Sequence, residues 1–475
     1  MAKSIMFQGT GSGVGKSLLT AGFCRLLKNM GLRAAPFKSQ NMALNAGVTA
    51  DGLEMGRAQI LQAEAAGVIP DVRMNPILLK PQGEAKSQLV RMGTVAGVYS
   101  ARDYYTLSAE NFSIASGAYD SLASEYDIIV IEGAGSPAEI NLHKTDIVNM
   151  RMAEYAGAGV QIVGDIDRGG VFAWMKGTYD LLPADSAKLV KGFIINKFRG
   201  DKTLLEPGIK MFEELVPVPV TGVMPYMRLS LEEEDSQDIQ SDTEKGAVRI
   251  GIIRLPYISN FSDFAALKAM RSVQVIYAVK PHELNDCDVV IIPGSKHTVY
   301  DMNFLRETGF DDAVRKAAVY KPVIGICGGF QILGKYISDP DGTEGEKGGT
   351  EGLGLIDVST VITKQKELIH KQYKGQNAWE GLTLTGYEMH MGRTETGAGT
   401  SVLAENGVCT AKGRVFGTYL HGFFEHSGNI KALNSLLGTV FEEADYINEK
   451  ERQLDLLAET IKQNCDTDLI LKEIL

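Results

Sequence analysis

The 475-residue sequence predicts an α/β protein of at least two domains, the first of them a doubly wound parallel sheet. Three observations carry this expectation. Apolar runs of strand length recur with helical patterns between them, at Ser4 to Gln8, Leu32 to Phe37, Tyr126 to Ile131, Gly159 to Val163, Lys191 to Ile195 and Val218 to Val223. An acidic, polar stretch without apolar periodicity, Ser230 to Gly246, then interrupts the alternation. Beyond it strands resume at Val248 to Leu255, Asp288 to Ile292 and Lys321 to Ile326. The expected units are residues 1–229, an acidic linker over 230–246, a second domain over 247–436, and a helical segment over 437–475 whose charges suggest a solvated face.

The first strand leads into Gly9-Thr10-Gly-Ser-Gly13-Val14-Gly15-Lys16-Ser17 and then an amphipathic run, Leu18 to Lys28. Strand, glycine-rich loop and helix in that order wrap phosphates in backbone N–H groups at the positive end of the helix. Lys16 would reach the terminal phosphates and the Ser17 hydroxyl a magnesium ion. Thr10 stands where the usual P-loop spacing has its first glycine, and Gly9, one residue back, gives a longer Gly-Thr-x5-Gly-Lys-Ser form. Ligands of such sheets bind at the carboxyl ends of the strands. There the sequence places Lys38-Ser-Gln-Asn41, Glu132-Gly-Ala-Gly-Ser136, Asp165-Ile-Asp-Arg-Gly-Gly170 and Asn196-Lys197. Candidate nucleotide contacts are therefore Thr10, Gly13, Val14, Gly15, Lys16, Ser17, Lys38 and Asn196. Ser17 and Glu132 are the candidate magnesium ligands, the alternative for Glu132 being a loop or cap carboxylate.

In the second domain, Lys321-Pro-Val-Ile-Gly-Ile-Cys327-Gly328-Gly-Phe-Gln is again strand, sharp turn and helix. Cys327 falls at the turn, where aligned peptide dipoles favour a thiolate and the N–H of Gly328 can meet an oxyanion. Pro293-Gly294-Ser295-Lys296 follows another strand of the same sheet, so Gly294 and Ser295 are expected to form the facing oxyanion wall. The strand Arg414 to Leu420 ends at His421-Gly, which offers an imidazole as the cysteine's base. Glu388 and His390 share one face of a strand, open to solvent or turned toward the cysteine. Cys24, Cys287, Cys409 and Cys465 lack useful spacing and read as buried structural residues.

Composition excludes several classes. A net charge of -11 without a basic block argues against nucleic acid, and no apolar run approaches a membrane span. Five scattered cysteines give neither a disulfide framework nor a zinc site, and the first residues enter a strand without a signal region, so a cytoplasmic protein is expected. The oligomeric state is left open.

Gly325-Ile-Cys327-Gly-Gly-Phe-Gln with Gly417-Thr-Tyr-Leu-His421-Gly resembles the glutaminase half of the class I glutamine amidotransferases, and Gly9-Thr-x5-Gly-Lys-Ser with Glu132-Gly-Ala-Gly resembles the dethiobiotin synthetase type of P-loop domain. Both on one chain, with Asn41-Met-Ala-Leu-Asn45, Gly56-Arg-Ala-Gln59, Asp165-Ile-Asp-Arg-Gly-Gly170 and Gly386-Tyr-Glu-Met-His390, resemble the cobyrinic/cobyric acid amidotransferase family over nearly the whole length, and most nearly its cobyric acid branch. The resemblance implies ATP, Mg2+, glutamine and a corrinoid polycarboxylate. Four peripheral carboxylates (b, d, e and g) of adenosylcobyrinic acid a,c-diamide would be amidated. The alternatives are the a,c-diamide synthase branch, or a P-loop ATPase switch carrying an inactive amidotransferase-like module.

One departure from the amidotransferase pattern stands out. The glutamate that follows the histidine by two residues and orients it is Phe423 here. A phenyl ring accepts no imidazole hydrogen bond, so the sequence predicts a Cys-His dyad, with Glu388 and Glu425 the nearest substitutes in sequence.

Overall fold

The computed structural model describes residues 2–82, 86–229, 231, 241, 246–345, 347–438, 441–442, 446–472 and 474. Six strands form the first sheet: β1 (Lys3–Gly9), β2 (Ala34–Phe37), β3 (Ile128–Glu132), β4 (Gly159–Asp165), β5 (Val190–Phe198) and β6 (Val220–Pro225). Their order is β6-β5-β4-β1-β3-β2 and every pairing is parallel. Each expected run is a strand because it is apolar enough to be covered on both faces, and β1, β3 and β4 are almost wholly buried. The expected acidic linker lies outside the described residues apart from Leu231, Ser241 and Gly246.

The second sheet starts at β7 (Val248–Ile253) and continues with β8 (Val273–Ala278), β9 (Val289–Ile292) and β10 (Val323–Ile326). A long hairpin, β11 (Val358–Lys374) and β12 (Thr383–Thr396), leaves the sheet before β13 (Ser401–Val402), β14 (Cys409–Lys412) and β15 (Val415–Thr418) rejoin it. The order is β8-β7-β9-β10-β15-β14-β13, with β10 and β15 parallel. Cys327 and His421 therefore emerge from neighbouring strands at the same end of the sheet.

Two features were not expected. Between β2 and β3 the chain builds a small lobe: a sheet of Gln40–Met42, Ile77–Gln82, Lys86–Arg91 and Thr94–Ser100, and a ribbon of Ala46–Val48 with Glu54–Gly56. Several of these strands are only three residues long, too short for an alternation to register. Buried Ala43, Ala46, Val48, Leu78 and Val90 of this lobe pack with Tyr387 and Met389 of β12, so the lobe is the seam between the domains.

The second concerns the long helix Tyr446–Asn464 near the carboxyl end, which is not a solvated appendage. It lies on the helix Lys16–Asn29 that follows the glycine-rich loop, and Leu454, Leu457, Ala458 and Ile461 enter the core beneath β1. Approach is close enough that a Cβ on Gly22 would stand 2.3 Å from Ile461 Cδ1. Arg25 anchors the edge, 2.7 Å from both Glu451 and Asp455. The stripe at i, i+3, i+4 and i+7 is the helical signature; the charged residues around and within it, Lys450, Glu451, Arg452, Asp455 and Glu459, hide it. Cys24, Cys287, Cys409 and Cys465 are all buried. Among the described residues no helix is long and apolar enough to cross a membrane.

Because the helix Tyr446–Asn464 completes the first core, Leu457→Ala should cost about 2–5 kcal/mol there. Hydrogen exchange checks this: amides of β1 and β4 should lose protection while those of β10 keep it. Equal losses in the two sheets would contradict the packing.

Candidate functional site

At the first site a cavity of about 1280 Å³ opens over the carboxyl ends of the first sheet. The glycine-rich loop takes the left-handed backbone that glycine permits, with φ 70° at Gly13 and 98° at Gly15. A Cβ on Gly15 would stand 2.2 Å from Asn196 Nδ2, which donates to the Val14 carbonyl at 2.8 Å. Lys197 braces the same loop, donating to the Gly13 carbonyl at 2.6 Å and pairing with Asp165 at 3.0 Å. Lys16 folds over it, its Nζ donating to the carbonyls of Gly11 (2.8 Å) and Gly135 (3.2 Å).

Glu132, fully buried at the end of β3, organises the metal side. Its carboxylate accepts from Ser17 Oγ at 2.8 Å, Lys38 Nζ at 2.7 Å and Gln62 Nε2 at 2.5 Å. One hydroxyl and one carboxylate side by side are the donors magnesium takes when phosphate and water complete its shell, so these residues fit the ion. Gly13, Gly15, Lys16, Ser17, Lys38, Glu132 and Asn196 all line the cavity. Thr10 and Val14 do not: Thr10 is buried with its N–H on Val163 O (2.9 Å), and the Val14 side chain sits in the core. These two shape the loop from behind, and Ser12 lines the cavity in their place. Gln62, on the helix Arg57–Ala66, went unnoticed in the sequence as a partner of Glu132.

At the second site Cys327 caps a six-residue helix, Gly328–Leu333, with φ 51° and ψ −107°. A non-glycine residue held there costs of order 1–3 kcal/mol, strain that a nucleophile elbow accepts in order to expose its side chain. The following glycines are dictated by contact. A Cβ on Gly328 would lie 2.7 Å from Ser295 N, and one on Gly329 would lie 2.0 Å from Ile292 O. A cavity of about 40 Å³ is lined by Cys327, Gly328, Ser295 and His421. Gly294 stands behind this lining, against Ser259 and 3.7 Å from His421 Cε1 at its would-be Cβ, so the wall facing the thiol is Ser295.

The expected dyad is overturned. His421 Nδ1 donates to Asp263 Oδ2 at 2.7 Å, and the Asp263 Oδ1 accepts the Gly422 N–H at 2.8 Å. Asp263 sits on the 3-10 turn Phe261–Phe264 and is 2% exposed, so its carboxylate is fixed on the imidazole from another part of the chain. Burial opposes a charge on His421, yet the Asp263 carboxylate and the Cys327 sulfur outweigh it and push its pKa up to about 10. Phe423 fills the core instead. Neither expected substitute touches the ring. Glu388 bonds His390 (2.9 Å) and Tyr373 (2.7 Å), and Glu425 pairs with Arg57 at 2.9 Å. Glu388 is buried and His390 lines the thiol cavity, so their strand face points inward and not to solvent.

The lobe reaches the same imidazole. Asn260 Nδ2 lies 3.4 and 3.3 Å from the two ring nitrogens of His421; equidistance without a clash at Cε1 puts it over the ring face. Its Oδ1 accepts the Ala46 N–H at 3.1 Å. The Tyr387 ring stacks on His421 at 5.3 Å, and its hydroxyl donates to the Ala46 carbonyl at 3.3 Å. Nearby, buried Glu54 of the lobe binds Lys80 at 2.7 Å and also Lys366 of β11. Burial pushes Lys366 down to about 7, while the two ammonium groups hold Glu54 far below the carboxylate range against the opposing effect of its burial.

Asp263→Asn should lower glutamine hydrolysis by roughly 10²–10⁴-fold, since the imidazole loses its orienting acceptor, whereas Glu388→Gln and Glu425→Gln should fall well short of that loss. A steady-state ammonia-release assay decides it. The same variant should change the pH dependence of stability. The folded-state pKa of His421 lies above its ordinary 6.5, so the stabilisation is complete below that value and is lost as pH rises through about 10. Denaturant midpoints of the wild-type second domain should fall over that window, and less steeply in Asp263→Asn.

Both domains match known families. Residues 5–238 match the CobQ/CobB/MinD/ParA nucleotide binding domain, and residues 249–429 match the CobB/CobQ-like glutamine amidotransferase domain. Cobyric acid synthases of Salmonella choleraesuis (strain SC-B67) and Salmonella typhi are each 48% identical over 497 residues, covering 99% of this chain and 98% of the relative. A solved glutamine amidotransferase is 19% identical over 40% of this chain and 99% of its own, with a TM-score of 0.32. With a P-loop domain and a glutamine amidotransferase domain matched in one chain, and near-complete coverage at that identity, the chain belongs to the cobyric acid synthase family of amidotransferase ligases.

Proposed function

We propose that this enzyme uses ATP and glutamine to amidate four peripheral carboxylates (b, d, e and g) of adenosylcobyrinic acid a,c-diamide, giving adenosylcobyric acid. The observation that carries the reading is the thiol elbow with its Asp263-held imidazole, joined through one lobe to a P-loop carboxylate site. Cys327 Sγ attacks the side-chain amide carbon of glutamine. His421 gives its proton to the departing ammonia, and water then cleaves the thioester to release glutamate. The oxyanion formed on attack lies against Gly328 and Ser295. At the other site the corrinoid carboxylate takes the terminal phosphoryl group of ATP, held by Gly13, Gly15, Lys16 and Ser17, with Lys38 and Asn196 beside them. Ammonia displaces the phosphate as the amide forms. A magnesium ion held by Ser17 and Glu132 would neutralise phosphate charge during transfer.

Ammonia in neutral water is mostly protonated and unreactive, so an enclosed passage between the sites belongs to the proposal. The strand Ile77–Gln82 supports it: Leu79 lines the nucleotide-side cavity and Lys80 the thiol cavity, opposite faces of a single strand. One strand's thickness is thus all that separates the two at that point.

The experiment is mass analysis of corrinoid products formed with ATP, magnesium and glutamine. Four acid-to-amide conversions are expected; a product carrying only two new amides would overturn the choice of substrate. Cys327→Ala should abolish glutamine-supported amidation and keep the ammonia-supported reaction, while Lys16→Ala should stop both.

A further inference from the structure

The thiol cavity carries more charge than acyl transfer requires, and most of it is internally matched. Lys80 and Lys366 share Glu54, His390 is on Glu388, and His421 is on Asp263. Two lining groups are left over. Lys296 and Glu344 are each 9% exposed, and among the described residues neither has an ion-pair partner within 4.0 Å, the other included. Each favours the other's charge across the cavity without closing to an ion pair, and neighbouring backbone and hydroxyl groups fix the segments that carry them. The Lys296 N–H donates to Tyr257 O at 2.9 Å, and Glu344 Oε2 accepts the Thr298 N–H at 2.9 Å. Thr298 donates its hydroxyl to Gln331 Oε1 at 3.2 Å, which ties this wall to the helix behind Cys327. Burial works against both charges, lowering the pKa of Lys296 and raising that of Glu344.

A buried cation and a buried anion that do not pair with each other, in one cavity with a nucleophile, are costly unless something bipolar comes between them. We propose that Lys296 and Glu344 are the two ends of a slot for an amino acid zwitterion, Lys296 taking the α-carboxylate and Glu344 the α-ammonium of the glutamine whose amide reaches Cys327. This rests on the glutaminase reading and adds to it the groups that select a free amino acid. Glutamine within a peptide chain lacks both charges and is rejected by leaving both side chains unpaired. Asparagine keeps the charges but is one methylene too short to bring its amide to the sulfur. Entry requires the narrow cavity to widen, and the unbranched side chains of Met389 and Met391 on its lining are adaptable enough to move.

The test uses three amides that differ only in their charged ends: glutamine, glutaramate without the ammonium, and 4-aminobutanamide without the carboxylate. Ammonia release is measured on the full-length enzyme with magnesium-ATP and corrinoid present. Lys296→Met should lower kcat/KM for glutamine and glutaramate by roughly ten- to hundredfold and leave 4-aminobutanamide unchanged. Glu344→Gln should lower glutamine and 4-aminobutanamide and leave glutaramate unchanged. Lys296→Arg should recover part of the loss, and amidation fed by ammonia should persist in every variant, showing that each is folded. Equal losses for all three amides would overturn the slot and leave the glutaminase intact. Failure of the wild-type enzyme to hydrolyse glutamine at all would overturn the parent reading instead.

Discussion

The peptide groups of Ala46 are the point on which the two halves depend. The N–H is held by Asn260 and the carbonyl by Tyr387, and both of these side chains also touch the ring of His421. Ala46 follows shortly after Asn41 and Met42, which line the nucleotide-side cavity. A displacement of this segment therefore has a direct mechanical consequence at the imidazole, with a single side chain intervening on each route. Asp263 fixes the ring's hydrogen bond from within its own domain. The ring's faces are set by residues that answer to the other domain.

Buried charge makes the docking register specific. Glu54 and Lys80 come from the lobe and Lys366 from the hairpin of the second domain, and all three are nearly inaccessible. Taking such groups out of water costs several kcal/mol per ion, and only close pairing offsets it. Arg57 and Glu425 repeat the arrangement across the same seam, at 9% and 13% side-chain exposure. A shift of register that parted these pairs would strand ions in the apolar contact made by Val48, Leu78 and Met389, so the geometry that completes the thiol cavity is also the one that satisfies the charges.

What could be read from the sequence was what is local. Lys16 and Ser17 open the helix that follows the first strand and its glycine-rich loop, and Glu132 ends another apolar strand; Cys327 and His421 each punctuate a strand with glycine, so strand order alone brings them together. Asp263 lies 158 residues before His421. It sits on a 3-10 turn with no periodicity, and its one signal is an aspartate set between the buried Phe261 and Phe264. Thr10 and Val14 belong to the motif's spelling, and spelling does not say which loop residues face the phosphate and which face the core. Lys296 and Glu344 were hidden because a lysine after Pro-Gly-Ser and a glutamate in a glycine-rich loop read as surface residues until the hairpin covers them.

The placement of the triad carboxylate follows from the same covering. Phe423 packs in the second core against Phe416 and Phe424, so the chain beyond His421 turns inward to fill volume. A carboxylate at that position would be buried among aromatic rings with nothing to pair with, a cost of several kcal/mol. The turn at Phe261–Phe264 has a different outlook. It starts at Asn260, whose left-handed backbone, φ 51°, directs the chain across the mouth of the sheet toward Gly422, and there the Asp263 carboxylate finds both the imidazole and a backbone N–H. Three residues apart on one short turn, Asn260 and Asp263 hold the same ring, one in its plane and one over its face. The element that supplies the base's orienting group is thereby also the element that the Ala46 segment grips.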